Sequence, residues 1–358
     1  MNRRSFLWTL SSLSVASMLS SCENQYDLQV ALLQGSLPIQ LIASLQKQGL
    51  GKINFKPQSS IEDIYKLLIK EEEEKDKKNT PSDLMTLGHY WLKDAISKNS
   101  IEPLELDKFS NWQNIPPRFQ QLVNRDNQGK LTENGQLWGA PYRWGYTMIA
   151  YRQDKFEELG WQPQDWQDLW RSQLQGRISL LNQPREIIGL ILKKLGHSYN
   201  TQDINSMPEV AKELKSLHQQ VKFYDSTNYL QPLIMGDTWL AVGWSADILP
   251  VLATRSNIKG IIARSGTALW ADVWVKPKQD KNEEDKLKRI SELINFCWDT
   301  ASGKQINLFT NGISPLKLSG KTNPKIPRMS EEIFAKSDFI EPLSPQDLEQ
   351  YHELLLKL

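Results

Sequence analysis

Short apolar runs alternate with helical stripes along most of the chain, and this alternation limits the fold more than any other feature of the sequence. The runs have the length of strands, and the stretches between them repeat apolar residues about every 3.6 positions, as one face of a helix does. This pattern predicts an α/β fold whose parallel sheets are covered on both faces. Strands are predicted at Val30–Leu33, Ile53–Phe55, Leu84–Thr86, Met148–Tyr151, Arg177–Leu181, Trp239–Val242, Lys259–Ala263 and Leu269–Val275. Helices are predicted at Pro38–Leu45, from Ile61 into the charged run Glu71–Lys78, and at Ile187–Leu195, Val210–Leu217 and Lys286–Trp298.

Length, charge and cysteine content limit the organisation of the chain and its partners. The 358 residues suffice for about two domains of roughly 150 residues each. Lys and Arg number 43 against 42 Asp and Glu, so no basic field recruits nucleic acid. The two cysteines, Cys22 and Cys297, are too few for a disulfide framework or a four-thiolate metal site. Cys297 continues an apolar helical repeat and is predicted to be a core residue rather than a reactive thiol.

Residues 1–22 carry the pattern of an export signal. Arg3 and Arg4 precede an apolar, Ser-rich stretch from Phe6 to Leu19, and Ser20-Ser21-Cys22 follows. That stretch is shorter than the about 20 residues of a transmembrane helix. The segment resembles both a twin-arginine export motif and a bacterial lipobox, in which the cysteine is lipidated; the alternative is an ordinary signal peptide with an incidental Arg pair. We predict an exported protein that contacts a membrane only through lipid on Cys22.

The sequence lacks the motifs of the common enzyme classes. It contains no G-x-S-x-G, H-E-x-x-H, G-x-x-x-x-G-K-[ST] or G-x-G-x-x-G. No two of its four histidines have the i, i+4 spacing that places two imidazoles on one metal. We therefore predict no catalytic residue, no metal and no cofactor, and keep a lipoprotein enzyme and a non-transporting sensor or assembly factor as less favoured alternatives. His89 follows a predicted strand, at the edge where open α/β sheets bind ligands.

Aromatic residues stand beside charged residues at the ends of three predicted strands. An aromatic face covers the methylenes of an amine and attracts its charge by about 0.5–2 kcal/mol, and a charged hydrogen bond adds about 1.5–3 kcal/mol. The alternative for any one segment is a tryptophan in the core and an aspartate that caps a turn. Three such segments together favour a site for an amine: Gly139–Gly145, Gly243–Asp247 and Leu269–Val273.

An ordered series of motifs resembles the periplasmic spermidine/putrescine-binding proteins, the receptor subunits of bacterial polyamine ABC transporters. The resemblance is weak over 30–80 and good from about 83 to 320. It includes the crossover strand GAPYRWGYTMIAY at Gly139–Tyr151, which follows the pattern PYxWGxTxIxY. The other matching segments, in order, are Asp83–Ile101 with His89-Tyr90-Trp91, Trp166–Trp170, Gln175–Ile178, Pro184–Ile187 and Leu195–Thr201.

The resemblance implies a two-lobe type II periplasmic-binding fold with a ligand cleft between the lobes. Lobe 1 would take 27–145 plus 266–312, and lobe 2 would take 146–265 plus 313–358. The resemblance also implies aromatic walls and amine-binding carboxylates in the cleft. The implied walls are Tyr142, Trp244 and Trp270, and the implied carboxylates are Glu186 and Asp272, with Asp247 where putrescine-binding relatives have a carboxylate.

Departures from the family pattern bear on the ligand. Gln183 stands where the family has an aspartate, Gly139 replaces the crossover serine, and Leu33 and Ser36 align with an aromatic pair. We expect a monomeric periplasmic receptor that captures a small cation such as putrescine or spermidine, closes by a hinge motion and delivers it to a membrane permease. Because Gln183 is neutral, putrescine should bind at least as well as spermidine. The alternative is the same fold with a sugar or an amino acid derivative as ligand.

Overall fold

The computed structural model describes residues 26–73, 81–279, 283–318 and 326–357. The predicted export signal and lipobox, and the part of the charged run from Glu74 to Lys78, lie outside the described residues. The strands are β1 Leu28–Leu33, β2 Ile53–Gln58, β3 Leu84–Gly88, β4 Ile101–Glu102, β5 Asn124–Arg125, β6 Gln136–Leu137, β7 Ala140–Arg152, β8 Ile178–Leu180, β9 Val221–Tyr224, β10 Leu240–Trp244, β11 Ile258–Ile261, β12 Ala268–Pro277 and β13 Asp338–Phe339.

The helices lie between and after these strands. They are α1 Ile39–Lys47, α2 Ile61–Glu73, α3 Leu92–Ser97, α4 Pro117–Val123, α5 Gln153–Leu159, α6 Pro184–Lys194, α7 Pro208–His218, α8 Leu230–Met235, α9 Ser245–Thr254, α10 Glu284–Cys297, α11 Thr300–Phe309, α12 Glu331–Lys336 and α13 Pro345–Leu356. Short 3-10 helices occur at His89–Trp91, Leu106–Lys108, Trp112–Asn114, Trp166–Trp170, Ser172–Leu174 and Ile204–Ser206.

One 11-stranded sheet runs through the described residues in the order β2-β1-β3-β12-β7-β10-β8-β9, with β4, β11 and β13 beside this path. β1 is parallel to β2 and β3, and β8 is parallel to β9 and β10. The predicted α/β fold is therefore confirmed. Its sheet is mixed rather than parallel throughout, because β7 and β12 pair antiparallel with each other and with their other long neighbours. β7 runs from the first half of the sheet into the second, and the chain is back in the first half at β12.

β7 joins the two halves of the sheet. Its first part, Ala140–Tyr146, pairs with β12, and its second part, from Thr147, pairs with β10 and β11. We call the strands on the β12 side (β1, β2, β3, β4, β12 and β13) the first half-sheet. The strands on the other side (β8, β9, β10 and β11) form the second half-sheet. The lobe boundaries given above stay predictions.

Both faces of the second half-sheet are covered, as the alternation of strands and helices predicts. Successive side chains of a strand point to opposite faces. Ile149 and Tyr151 join a core that includes α6 and α7, whereas Met148 and Ala150 join a core that includes α9 and continues into the first half-sheet. All the predicted strands and helices are found, with ends shifted by a few residues; β7 is much longer than its predicted span.

Cys297 has no exposed surface and packs at the end of α10, so its predicted place in the core is confirmed. Burial raises the pKa of its thiol to about 12. Within the described ranges, no cluster of three or more His, Cys, Asp or Glu is placed to hold a metal ion. Nor does any helix there have the length and apolar character needed to cross a membrane.

The Cys297 thiol should not react with a thiol reagent in the folded protein. Thiolate is the reactive form of cysteine. Burial lowers the fraction of thiolate and also keeps the reagent from reaching the sulfur. We expect a Cys22→Ser variant to show no labelling with a chromogenic disulfide reagent at pH 8 and one equivalent of labelling in denaturant. Rapid labelling of the native variant would contradict the packing described here.

Candidate ligand-binding site

Three alternate residues of β7 point to the same face of the strand and reach the predicted site. Arg143, Gly145 and Thr147 are two positions apart, and residues at that spacing share one face. They lie where β7 passes from the first half-sheet to the second. Arg143 donates to Asp272, and Thr147 donates to Glu186. Gly145 leaves room for the Trp270 ring.

Strand glycines let three aromatic rings approach the backbone at the site. A Cβ atom at any of these glycines would overlap the ring above it, so a larger residue would displace the ring. The pairs are Tyr90 over Gly88, Trp270 over Gly145 and Tyr229 over Gly243. The glycines therefore fix how closely these rings lie on the sheet.

Glu186 is a buried carboxylate, 5% exposed, in the first turn of α6 after Pro184. One of its oxygens accepts a hydrogen bond from Thr147 Oγ1 at 2.9 Å and the other accepts one from Trp244 Nε1 at 3.0 Å. Both donors are neutral, and in the described part of the chain no Lys or Arg forms an ion pair with Glu186. Burial raises the pKa of the Glu186 carboxyl; the two hydrogen bonds and the more distant Arg185 oppose this rise.

The neighbouring Arg185 is held away from Glu186. Its guanidinium donates to Asn200 Oδ1 at 2.7 Å, to the Glu341 carbonyl at 3.0 Å and to the Tyr351 hydroxyl at 3.3 Å. These partners hold the cation toward α13. Among the residues that the structure describes, no cation therefore contacts the buried Glu186 carboxylate.

Asp247 lies in the first turn of α9 and is exposed. Its Oδ2 accepts a hydrogen bond from the Tyr229 hydroxyl at 3.1 Å. Burial raises the pKa of the Tyr229 phenol, and the charges of Asp247 and Glu186 raise it further. Asp247 therefore lies on the Glu186 side of the site, as expected from the pairing of β8 with β10, the strands that precede α6 and α9.

Asp272 lies on β12 and is already paired with a cation of the chain itself. Its Oδ2 accepts hydrogen bonds from Arg143 Nε and Nη2, both at 2.7 Å. Asp272 is 4% exposed and Arg143 6% exposed. Arg143 also donates to the Thr310 carbonyl at 3.2 Å, and its guanidinium carbon lies 5.4 Å from the centre of the Trp270 ring. Burial raises the pKa of the Asp272 carboxyl, and Arg143 opposes this rise.

The remaining predicted site residues differ in exposure. Tyr142 has no exposed surface: its ring stacks on Trp274 at 4.4 Å, and its hydroxyl lies 3.2 Å from Thr86 Oγ1. Gln183 is exposed at the N-terminal cap of α6, and its side chain makes no capping hydrogen bond. Trp244 and Trp270 are partly exposed.

Tyr90 lies beside Asp272, although the sequence patterns do not single it out as a site residue. Its ring packs over Gly88, which lies opposite Asp272 in the register of β3 against β12. Burial raises the pKa of its phenol, and the charges of Asp272, Glu62 and Glu186 add to the rise. His89, next to it, is fully buried: its Nδ1 accepts from the Ala271 amide at 3.1 Å, and burial lowers its pKa to about 3.

Comparison with known proteins identifies the family. A family model described as bacterial extracellular solute-binding protein matches residues 79–341. The chain belongs to this family. The spermidine/putrescine-binding periplasmic protein of Escherichia coli is 26% identical over 270 residues, which cover 75% of this chain and 72% of that protein. The putrescine/cadaverine-binding protein of Pseudomonas aeruginosa is 28% identical over 224 residues, 59% of this chain and 58% of that protein.

A solved structure shares the fold of this chain. The spermidine/putrescine ABC transporter substrate-binding protein of Streptococcus pneumoniae, in complex with calcium and HEPES, has a TM-score of 0.77 at 20% identity, over 92% of this chain and 97% of that chain. The predicted family resemblance and two-lobe type II fold are thereby confirmed. The family is one of extracellular solute-binding proteins rather than enzymes.

A Glu186→Gln variant should be more stable than the wild type at neutral pH in the absence of ligand. Because burial raises the pKa of Glu186 in the folded state, wild-type stability falls as pH rises from the unfolded value of 4.5 through the folded value. Glutamine keeps the shape without the charge. The melting temperature of Glu186→Gln minus that of the wild type should be positive at pH 7.5 and smaller at pH 4.

The matched control for this measurement is Glu209→Gln, at an exposed position in the first turn of α7. Its effect on the melting temperature should be close to zero at both pH values. Samples are unfolded, dialysed and refolded to remove any bound solute. A Glu186→Gln protein that is less stable than wild type at pH 7.5 would show that the carboxylate is not an uncompensated charge.

Proposed function

We propose that this protein is the solute receptor of an ABC importer and that its cleft binds a short organic amine of the polyamine class. Family membership supports the receptor role. The relatives from Escherichia coli and Pseudomonas aeruginosa, which are named for spermidine, putrescine and cadaverine, support an amine as the ligand. The observation that carries the proposal is Glu186, a buried carboxylate whose hydrogen-bond donors in the described part of the chain, Thr147 and Trp244, are both neutral.

A buried anion without a counter-ion is unfavourable, because burial removes the water that would otherwise solvate it. An ammonium group that binds beside Glu186 supplies the missing charge. The amine therefore gains more at this position than it would from an exposed carboxylate. Trp244, which donates to Glu186 and is itself partly exposed, offers an aromatic surface for the adjacent methylenes.

Asp247 offers a second carboxylate on the same side of the site. The Asp247 side chain is exposed and accepts one hydrogen bond, from Tyr229. Its remaining oxygen lone pairs can accept hydrogen bonds from a second ammonium. We propose that Glu186, Trp244 and Asp247 contact the amine. Trp270 lines the opposite side, Gln183 lies at the rim and Tyr142 supports the site from behind.

The receptor would close over its ligand by rotation of lobe 1 (27–145 plus 266–312) against lobe 2 (146–265 plus 313–358). β7, which pairs in both half-sheets, would act as one of the connections between them. The protein would act in the periplasm as a monomer, anchored to a membrane by lipid on Cys22, and would deliver the amine to the permease of the importer. Export by the twin-arginine route belongs to the same proposal.

Putrescine should bind the wild type, and Glu186→Gln should weaken that binding by roughly 10- to 150-fold, since a charged hydrogen bond contributes about 1.5–3 kcal/mol. Isothermal titration calorimetry on refolded, ligand-free protein measures both affinities. Glu209→Gln, which removes the same charge from an exposed position, serves as the control and should bind like the wild type.

A thermal-shift panel of putrescine, cadaverine, spermidine, amino acids and sugars tests the ligand class. A ligand at 100 times its dissociation constant stabilises the folded state by about 2.7 kcal/mol, so a true ligand gives a clear shift. Stabilisation by a sugar and by no amine would overturn the amine proposal and leave the receptor fold.

Replacement of Cys22 by Ala should release the protein from membranes or stall its processing, because the lipid would be attached to this cysteine. Membrane fractionation and the mass of the N-terminal peptide report the result. An unchanged fractionation and an unchanged N-terminal mass would contradict lipidation at Cys22. Replacement of Ser21 by Ala is the matched control and should leave the anchoring intact.

A further inference from the structure

An aromatic face beside a carboxylate is an arrangement that binds cations, and the site has such a pair in Trp270 and Asp272. In this structure a cation already occupies it. The guanidinium of Arg143 donates twice to Asp272 and lies 5.4 Å from the centre of the Trp270 ring. The two groups that would bind an amine here are therefore engaged by a side chain of the protein.

We propose that Arg143 takes the place of a ligand ammonium in the cation site formed by Asp272 and Trp270. The cleft would then bind ammonium groups only on the Glu186 side. This inference rests on the proposed amine-receptor function and specifies which amines the receptor takes.

Arg143 is held in this position by the surrounding backbone. Its Nη1 donates to the Thr310 carbonyl at 3.2 Å. Gly312 packs directly on the aliphatic part of the side chain, where a Cβ atom would overlap Arg143. In the register of β7 against β12, Arg143 lies directly opposite Asp272. Withdrawal of Arg143 to admit an ammonium would break these contacts and leave a buried guanidinium without its counter-ion, which is strongly unfavourable.

The charge balance of the site follows from this pairing. On the first half-sheet, Asp272 and Arg143 neutralise each other. On the other side, Glu186 and Asp247 have no ion pair among the described residues. Two ammonium groups of a short diamine have carboxylates to meet there, whereas the third ammonium of a triamine would come against an ion pair that is already complete. Arg143 is thus a specificity-determining residue that favours short diamines over longer polyamines.

Arg143→Ala should free Asp272 and shift the preference of the receptor toward spermidine. We expect the ratio of spermidine to putrescine affinity, measured by calorimetry, to rise at least tenfold over the wild type. The double variant Arg143→Ala/Asp272→Asn, in which both charges are gone, should return to the wild-type ratio. It should also bind putrescine within about threefold of the wild type, because the diamine does not use Asp272. An unchanged ratio in Arg143→Ala would overturn the inference, as would a tenfold loss of putrescine binding in the folded double variant.

The double variant keeps the test decisive if Arg143→Ala alone fails to fold, since it leaves no unpaired buried charge. A second measurement separates this inference from the proposed function. Methylguanidinium, which replaces the missing side-chain end, should raise the melting temperature of Arg143→Ala and leave the wild type and the double variant unchanged. If no polyamine binds the wild type but this rescue is seen, the proposed amine function fails and the cation site at Asp272 stands. If amines bind but the rescue and the shift in ratio are absent, Arg143 is a structural ion pair only.

Discussion

The pairing of β7 with both half-sheets is the constraint on which the site depends. Because one strand carries two hydrogen-bonded ladders that meet between Tyr146 and Thr147, residues four positions apart on one face of this strand reach opposite sides of the site. Arg143 meets Asp272 on the first half-sheet, and Thr147 meets Glu186 beside the second. Gly145, between them, lets the Trp270 ring lie against the strand.

The two buried carboxylates of the site differ in the charge of the groups that donate hydrogen bonds to them. Asp272 has a guanidinium in direct contact, whereas the hydrogen-bond donors to Glu186 among the described residues are a hydroxyl and an indole N–H. Neutral hydrogen bonds orient a carboxylate but do not cancel its charge, so a buried Glu186 reduces the stability of the empty protein. Under the proposed function, this is the physical reason why a cation bound beside Glu186 would stabilise the protein. The same comparison explains why the charge of Asp272 does not by itself indicate a free amine site.

Much of the fold follows from sequence patterning, because apolar periodicity fixes which segments are strands and which are helices. The sequence also marks Glu186 and Asp272 as candidates, because they lie in motifs with a recognisable order; their part in binding stays a prediction. The pairing of Arg143 with Asp272 is not: these residues are 129 positions apart, and only the register of β7 against β12 brings them together. Arg143 lies inside the PYRWG segment, yet nothing local marks its side chain as a partner of Asp272.

The full burial of Tyr142 also depends on the register of β7 against β12 and not on local sequence. The register of β7 against β12 passes from Arg143 to Pro141 across an irregularity, which leaves Tyr142 without a paired residue and places its ring on Trp274. A bulge of this kind changes where a side chain points and leaves no trace in apolar periodicity. The positions of Tyr90 and Tyr229 are not predictable from the sequence pattern, because the ring of each packs on a strand glycine that leaves room for it.

A crystal structure of the protein with putrescine bound would show directly which groups of the site contact the amine. We expect an ammonium nitrogen about 3 Å from a carboxylate oxygen of Glu186, with the Arg143–Asp272 ion pair intact. An ammonium on Asp272 with Arg143 displaced, or a diamine bound elsewhere while Glu186 keeps only its neutral partners, would contradict it.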